Sequence, residues 1–228
     1  MANTHRYGFR FVKNRWGGDV PEIVTRKIAS AYSPNVTGAT TANLNIGDPV
    51  YLDDSGNANL LAPGTTTTAD NQVTQRCFGV IAGFPQVLIN GAVRPNSFYP
   101  AGTVYGSNYN NRTLVQIIPA DGCVFEIDTD AAGSSSQDTR SEFESLVGGC
   151  AAVVYSQINT TTSNPKANPM LDVSDITQAV ADFRQLRIVG VGSLSEAIDF
   201  AAQYVPLQVV FNLVQQSPWR TTAGFDGS

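Results

Sequence analysis

Charged residues are scarce in this sequence of 228 residues. Lysine, arginine, aspartate and glutamate make up 14% of it, against about 25% in an average soluble domain. Threonine, asparagine, serine and glutamine must therefore cover much of the surface. Such a surface repels other proteins only weakly, which suits a chain that packs against neighbours, although it also fits a neutral soluble domain.

Histidine and cysteine, which most often bind metals or act as nucleophiles, are also rare. The one histidine, His5, lies near the start of the chain. A Ser-His-Asp triad would have to use this residue. The three cysteines, Cys77, Cys123 and Cys150, are widely spaced and form no CxxC motif. Because each lies in an apolar or glycine-rich run, we expect three buried free thiols and no metal site.

Long apolar runs are missing as well. No stretch approaches the roughly 18 residues that a membrane helix needs. Residues 1–6 lack the apolar centre of a signal peptide. The sequence therefore predicts no contact with a membrane and synthesis in the cytoplasm.

Two short motifs resemble ligand-binding loops but lack essential parts. The GxGxxS run from Gly190 to Ser195 has no carboxylate about 20 residues further on, where a dinucleotide fold needs one. The acidic run that begins at Asp128 has Ala132 and Thr139 where a calcium loop needs its fifth and twelfth ligands. We therefore expect no enzyme, no catalytic residue and no cofactor.

Short strands separated by turn residues dominate the sequence from 46 to 105. Residues 46–61 predict a β-hairpin, because Asp54-Ser55-Gly56-Asn57 separates two apolar runs. The runs 77–84 and 86–89 follow, and Asn90-Gly91 closes them with a strong hairpin signal.

Further strands are predicted over 113–119, 123–128, 151–155 and 207–214, with an exposed loop over 159–169 because of its two prolines. An apolar stripe after Ser174 and a capping box at Ser193 predict two short helices. The fold class that follows is mainly β: an antiparallel β-barrel or sandwich with one or two short helices and an extended N-terminal arm.

The arm, residues 1–30, carries six basic and two acidic side chains, whereas the rest of the chain carries eight basic and seventeen acidic ones. A basic arm therefore precedes an acidic body over 31–216, in which 130–145 is the candidate point of subdivision, and a loose tail over 217–228. Gly17-Gly18 is interpreted as a hinge, so that deleting residues 1–17 is expected to leave the fold intact.

Basic and aromatic side chains alternate in the arm, and three roles remain open for them. They could stack on nucleic-acid bases, lie across a partner protein, or pack on the chain's own body. Protein binding is favoured over nucleic acid. The candidate protein-binding residues are Arg6, Tyr7, Phe9, Arg10, Phe11, Lys13, Arg15 and Trp16.

The run from Gly47 to Leu52, the polar hairpin after it, and Phe78 to Phe84 together resemble the β-rich decoration, or cement, proteins of tailed-bacteriophage capsids. The resemblance covers roughly residues 44–130. It implies a non-enzymatic virion protein that sits on the outer capsid surface, is often a homotrimer, and clamps neighbouring copies of the major capsid protein.

Two alternatives remain open. One is another virion component, such as a tail, fibre or head-completion protein. The other is a carbohydrate- or nucleic-acid-binding β module with an aromatic stacking face, for which core packing is the competing role. The aromatic residues concerned are Tyr51, Phe78, Phe84, Phe98, Tyr99 and Tyr105.

Overall fold

The computed structural model describes residues 8–15, 17–28, 43–61, 76–89, 92–96, 98–99, 114–130, 138–158, 166–174, 176, 184–192, 198–201, 204–212 and 214–215. Within these ranges strands dominate and one helix occurs. The elements in chain order are β1 (Arg10–Asn14), β2 (Val24–Lys27), β3 (Leu44–Asn45), β4 (Pro49–Leu52), β5 (Ala58–Leu60), β6 (Gly79–Ile89), β7 (Ala92–Asn96), β8 (Phe98–Tyr99), β9 (Leu114–Pro119), β10 (Cys123–Asp128), α1 (Arg140–Ser145), β11 (Cys150–Ala151), β12 (Val153–Ile158), β13 (Lys166–Leu171), β14 (Leu186–Val191) and β15 (Pro206–Phe211).

Two antiparallel sheets form the body. The first has five strands in the order β1-β10-β15-β14-β11, and the second has the order β2-β9-β6-β4-β5 with β7 paired to β6. The pairs β12-β13 and β3-β8 form two smaller sheets. The predicted mainly β, antiparallel fold is confirmed, and of its two forms the structure is a sandwich rather than a closed barrel.

The main core lies between the two large sheets. Val80 and Ile118 of the second sheet join Phe125 and Val209 of the first sheet in one cluster of buried side chains. Alternate residues of a strand point to opposite faces, so each sheet supplies one apolar face. This cluster contains residues that precede and residues that follow 130–145 in the chain, the range near which the body is predicted to be subdivided.

A second core cluster lies on the other face of the six-stranded sheet. It includes Ile28, Val50, Phe78 and Ile117, all at most 2% exposed. This sheet is therefore buried on both faces. Its two outer strands approach each other closely enough for an isolated bridge between Ile28 and Ala58, so the sheet curls around the second cluster without closing.

The predicted hairpins are present, and their turn residues explain them. Between β4 and β5, the Asp53 carboxylate accepts hydrogen bonds from the backbone N–H of Ser55 and of Asn57, at 3.0 and 2.8 Å. Gly56 has a φ of 76°, which glycine adopts without steric cost. Strands β6 and β7 also pair antiparallel with Ile89 opposite Ala92, although residues 90–91 lie outside the described ranges.

The segment predicted as a free arm lies on the body over its described part. Strand β1 pairs with β10 at the edge of the five-stranded sheet, and β2 pairs with β9 at the edge of the other. The prediction of an arm over 1–30 is therefore wrong for residues 8–28. Gly17 and Gly18 do not form a hinge to a detached arm, because the strands on both sides of them belong to the sheets.

Both ends of the described chain fasten the two sheets together. The Phe9 N–H donates to the Gly47 carbonyl at 2.8 Å, and a Cβ on Gly8 would lie only 2.7 Å from that same oxygen. At the other end, the Gln215 side-chain amide accepts from the Leu52 N–H and donates to the Leu52 carbonyl, at 2.7 and 2.8 Å. This side chain thereby takes the place of a strand residue beside β4.

Two elements differ from the sequence predictions. Helix α1 was not predicted, yet it has a complete capping box between Thr139 and Glu142. Strand β13 occupies the second half of the predicted 159–169 loop, with Pro169 opposite Tyr155 in a two-stranded ribbon, where a proline is tolerated. The helix predicted after Ser174 lies almost entirely outside the described residues. The helix predicted from Ser193 is not observed over its described part, because residues 198–201 and 204–205 are not helical and Tyr204 has a φ of 64°. No described helix has the length and apolar character to span a bilayer.

We expect Phe9→Ala to destabilise the protein by about 3–5 kcal/mol, because Phe9 is 3% exposed within the main core. Urea unfolding followed by tryptophan fluorescence measures this change. Val20→Ala is the control: Val20 is 80% exposed, so its loss should change the stability by less than about 0.5 kcal/mol. Equal effects from the two variants would contradict the placement of Phe9.

Candidate protein-binding surface

Five of the eight predicted protein-binding residues lie in the described chain, and the side chains of Phe9, Arg10 and Phe11 contact the body. Phe9 packs against Phe125 and Phe211, with ring centroids 6.2 and 4.9 Å away. Phe11 meets Phe125 edge-to-face at 6.3 Å. The third alternative, packing on the chain's own body, is thus the observed one for Phe9 and Phe11. Arg6, Tyr7 and Trp16 lie outside the described residues.

Arg10 forms an ion cluster with two buried carboxylates of β10. Its guanidinium donates to Glu126 at 2.8 Å and to Asp128 at 2.9 Å. The side chains of Glu126 and Asp128 are only 6% and 3% exposed, whereas that of Arg10 is 25% exposed. Buried carboxylates are costly without a charged partner, so Arg10 serves the body first.

The chain between β1 and β2 exposes apolar side chains that are not among the eight predicted protein-binding residues. Val20 is 80% exposed and Ile23 is 51% exposed. These are the two most exposed large apolar side chains within the described residues. Burying such side chains against a partner is favourable, at about 25 cal/mol per Å² of apolar surface.

Hydrogen bonds fix described residues in the first part of this connection, as far as Val20. The Asn14 N–H donates to the Gly18 carbonyl at 3.1 Å, and the Asn14 side-chain amide donates to the Val20 carbonyl at 3.1 Å. The Arg15 N–H donates to the Gly122 carbonyl at 2.7 Å, in the turn before β10. A surface that is ordered before binding loses less conformational entropy when a partner docks.

The segment that contains the two apolar residues is basic overall, although exposed Asp19 and Glu22 directly precede Val20 and Ile23. Residues 13–27 carry four basic and two acidic side chains, a net charge of +2. Lys13, Arg15 and Lys27 are exposed, and the Arg26 guanidinium lies 5.6 Å from the Phe78 ring centroid. We call this region the basic edge surface; it consists of Lys13, Arg15, Val20, Ile23, Arg26 and Lys27.

The aromatic stacking face considered for a carbohydrate-binding module is largely internal. Phe78, Phe84 and Tyr99 are 1%, 2% and 7% exposed and belong to the second core cluster. Tyr51 is half-buried against the main core. Tyr105 lies outside the described residues. Core packing is therefore the observed role of three of the six aromatic residues, Phe78, Phe84 and Tyr99.

The three thiols are buried and unpaired to one another, as predicted. Burial raises the pKa of Cys77 far above its ordinary value. Burial, with smaller contributions from the negative charges of Asp121 and Glu22, raises the pKa of Cys123 to about 11. Within the described ranges, no group of three or more His, Cys, Asp or Glu side chains is arranged to hold a metal ion.

No protein-family model, curated protein or solved structure matches this chain.

We expect Arg10→Ala to destabilise the protein by about 3 kcal/mol, because it removes the guanidinium that pairs with the two buried carboxylates of Glu126 and Asp128. Arg140→Ala is the matched control. It breaks the Arg140–Glu144 pair on α1, where both side chains are more than half exposed, and should cost about 0.5 kcal/mol or less. Chemical denaturation of both variants measures the difference, and a loss at Arg10 no larger than at Arg140 would contradict this role.

We expect native protein to react only slowly with a thiol reagent such as DTNB at pH 8. All three sulfurs are buried, and the raised pKa values of Cys77 and Cys123 keep those two groups protonated at that pH. Protein unfolded in guanidinium chloride should release three equivalents at once. Rapid release of one equivalent from the folded protein would show a reactive thiol.

Proposed function

We propose that this chain is a non-enzymatic structural protein of a bacteriophage virion. It binds the outer surface of the capsid and clamps neighbouring capsid subunits, and its basic edge surface contacts another protein of the shell.

The basic edge surface is the observation that carries this proposal. It combines exposed Val20 and Ile23 with positive charge on a segment whose first part is held in place by hydrogen bonds. Apolar anchors surrounded by charged groups are typical of protein interfaces, where the apolar area supplies affinity and the charges supply specificity.

The resemblance to capsid decoration proteins is compatible with the fold. The runs that carry it, residues 47–52 and 78–84, fall on β4 and β6 with their preceding turns, and these two strands are neighbours in the six-stranded sheet. The low content of charged residues supports a protein whose surface is packed against other proteins when it functions.

The mechanism is mass action. A protein that binds the assembled shell more tightly than its separate subunits stabilises the shell by its binding free energy. Many copies on a symmetric lattice add avidity, so that each contact can be modest in affinity.

The test is co-sedimentation of the purified protein with capsid shells, lacking this chain, from the virus that encodes it. We expect binding and a higher shell disruption temperature. Val20→Ser/Ile23→Ser should reduce binding by about tenfold or more, because two apolar anchors are lost.

Ile46→Ser is the matched control for that experiment. Ile46 is 47% exposed but lies between β3 and β4, outside the basic edge surface. It should bind like the unchanged protein. Absence of any binding to the shells would refute the proposed function, and equal binding by all variants would place the contact elsewhere.

A further inference from the structure

The five-stranded sheet has a second edge, opposite to β1, with the reverse charge. Helix α1 and the turn after it lead into β11, the strand at that edge. Residues 138–145 carry three acidic side chains and one basic one, a net charge of −2. Hydrogen bonds from Thr139 and from the backbone hold the pKa of Glu142 below its ordinary value, so this carboxylate stays ionised near neutral pH.

Apolar side chains are exposed at this second edge too. Val147 follows α1 and is 44% exposed, and Val189 on β14 is 39% exposed. Their backbones are neighbours, because the Gly148 N–H donates to the Ile188 carbonyl at 2.9 Å. We call this region the acidic edge surface; it consists of Asp138, Glu142, Glu144, Val147 and Val189. It also contains two cations, Arg140, which pairs with Glu144 at 2.7 Å, and exposed Arg187 on β14.

The exposed apolar residues therefore follow a pattern. Among the residues whose side chains the structure describes, five large apolar ones are exposed. Two lie on the basic edge surface and two on the acidic edge surface, and Ile46 is the fifth. Four strand spacings separate the two edges, or about 19 Å, so one copy of the chain cannot bring its own two surfaces together.

We propose that the basic edge surface of one copy docks on the acidic edge surface of a second copy. This inference rests on the proposed function to the extent that it takes the basic edge surface as the protein-binding site. It names the shell protein at that surface as a second copy, so the weaker shell binding expected of Val20→Ser/Ile23→Ser comes from lost contacts between bound copies. The two segments carry net charges of opposite sign, +2 over residues 13–27 and −2 over residues 138–145, and exposed Arg187 beside Val189 reduces the negative charge of the acidic edge surface to −1. Each surface offers two exposed apolar side chains to the other.

Because the two surfaces are different, the contact is heterologous. Each copy binds one neighbour through its basic edge surface and a second neighbour through its acidic edge surface. Copies added in this way form a closed ring if the rotation between neighbours closes, and an open chain otherwise. On a shell, such contacts would link adjacent copies laterally.

A charge-swap experiment tests the docking in solution, by sedimentation velocity without any capsid present. One variant, Lys13→Glu/Lys27→Glu, reverses the basic edge surface. The other, Asp138→Lys/Glu144→Lys, reverses the acidic edge surface. We expect the unchanged protein to self-associate, each variant alone to associate about tenfold more weakly or worse, and an equimolar mixture of the two to recover most of the association.

The mixture should recover because each variant then meets a partner of opposite charge at both edges. Asp54→Lys is the control for a charge change elsewhere, since Asp54 lies in the exposed β4–β5 turn, and it should associate like the unchanged protein. Val147→Ser should weaken association, whereas Ile46→Ser should not. Thermal melting checks that every variant is folded.

Three outcomes would overturn the inference: unchanged protein that stays monomeric up to its solubility limit, reversed variants that associate normally, or a mixture that does not recover. None of them bears on shell binding, which is measured separately with capsids. Conversely, self-association between the basic and acidic edge surfaces, without any binding to shells, would refute the proposed virion role and leave the inferred docking unaffected.

Discussion

The insertion of Phe9 between Phe125 and Phe211 is the contact on which the arrangement of the N-terminal segment depends. It places β1 at the edge of the five-stranded sheet and brings Arg10 over the buried carboxylates of Glu126 and Asp128. Once β1 is fixed, the connection to β2 must cross from one sheet to the other. That crossing exposes the apolar and basic side chains of the basic edge surface.

The alternation of basic and aromatic side chains from which we predicted an arm also matches the two-residue period of a β-strand. Phe9 and Phe11 point to one face and Arg10 to the other, which is the pattern of residues i and i+2 in β structure. Their partners lie more than a hundred residues away on β10, so no local signal distinguishes an edge strand from an extended arm. The distribution of charge was visible in the sequence, but its arrangement on two opposite edges depends on strand order.

Much of the fold could be predicted where local chemistry decides it. The β4–β5 hairpin follows from Asp53 and Gly56, and the buried thiols follow from their apolar surroundings. Helix α1 was missed because six residues show no period, although Thr139 and Glu142 already spelled its capping box. The exposure of Val20 and Val147 depends on what the body leaves uncovered, and this could not be predicted from the sequence.

The strand order of the five-stranded sheet also determines when its strands can pair during synthesis. Strands β1 and β10 pair across more than a hundred residues, and β10 then pairs with β15, which begins at Pro206. At about 5–20 residues per second, a ribosome needs roughly 10–40 s to travel from β1 to β15. The six-stranded sheet draws only on residues 24–119 and can form first. The nascent chain therefore carries Phe9 without its full pocket for most of its synthesis, and non-local pairing of this kind folds slowly.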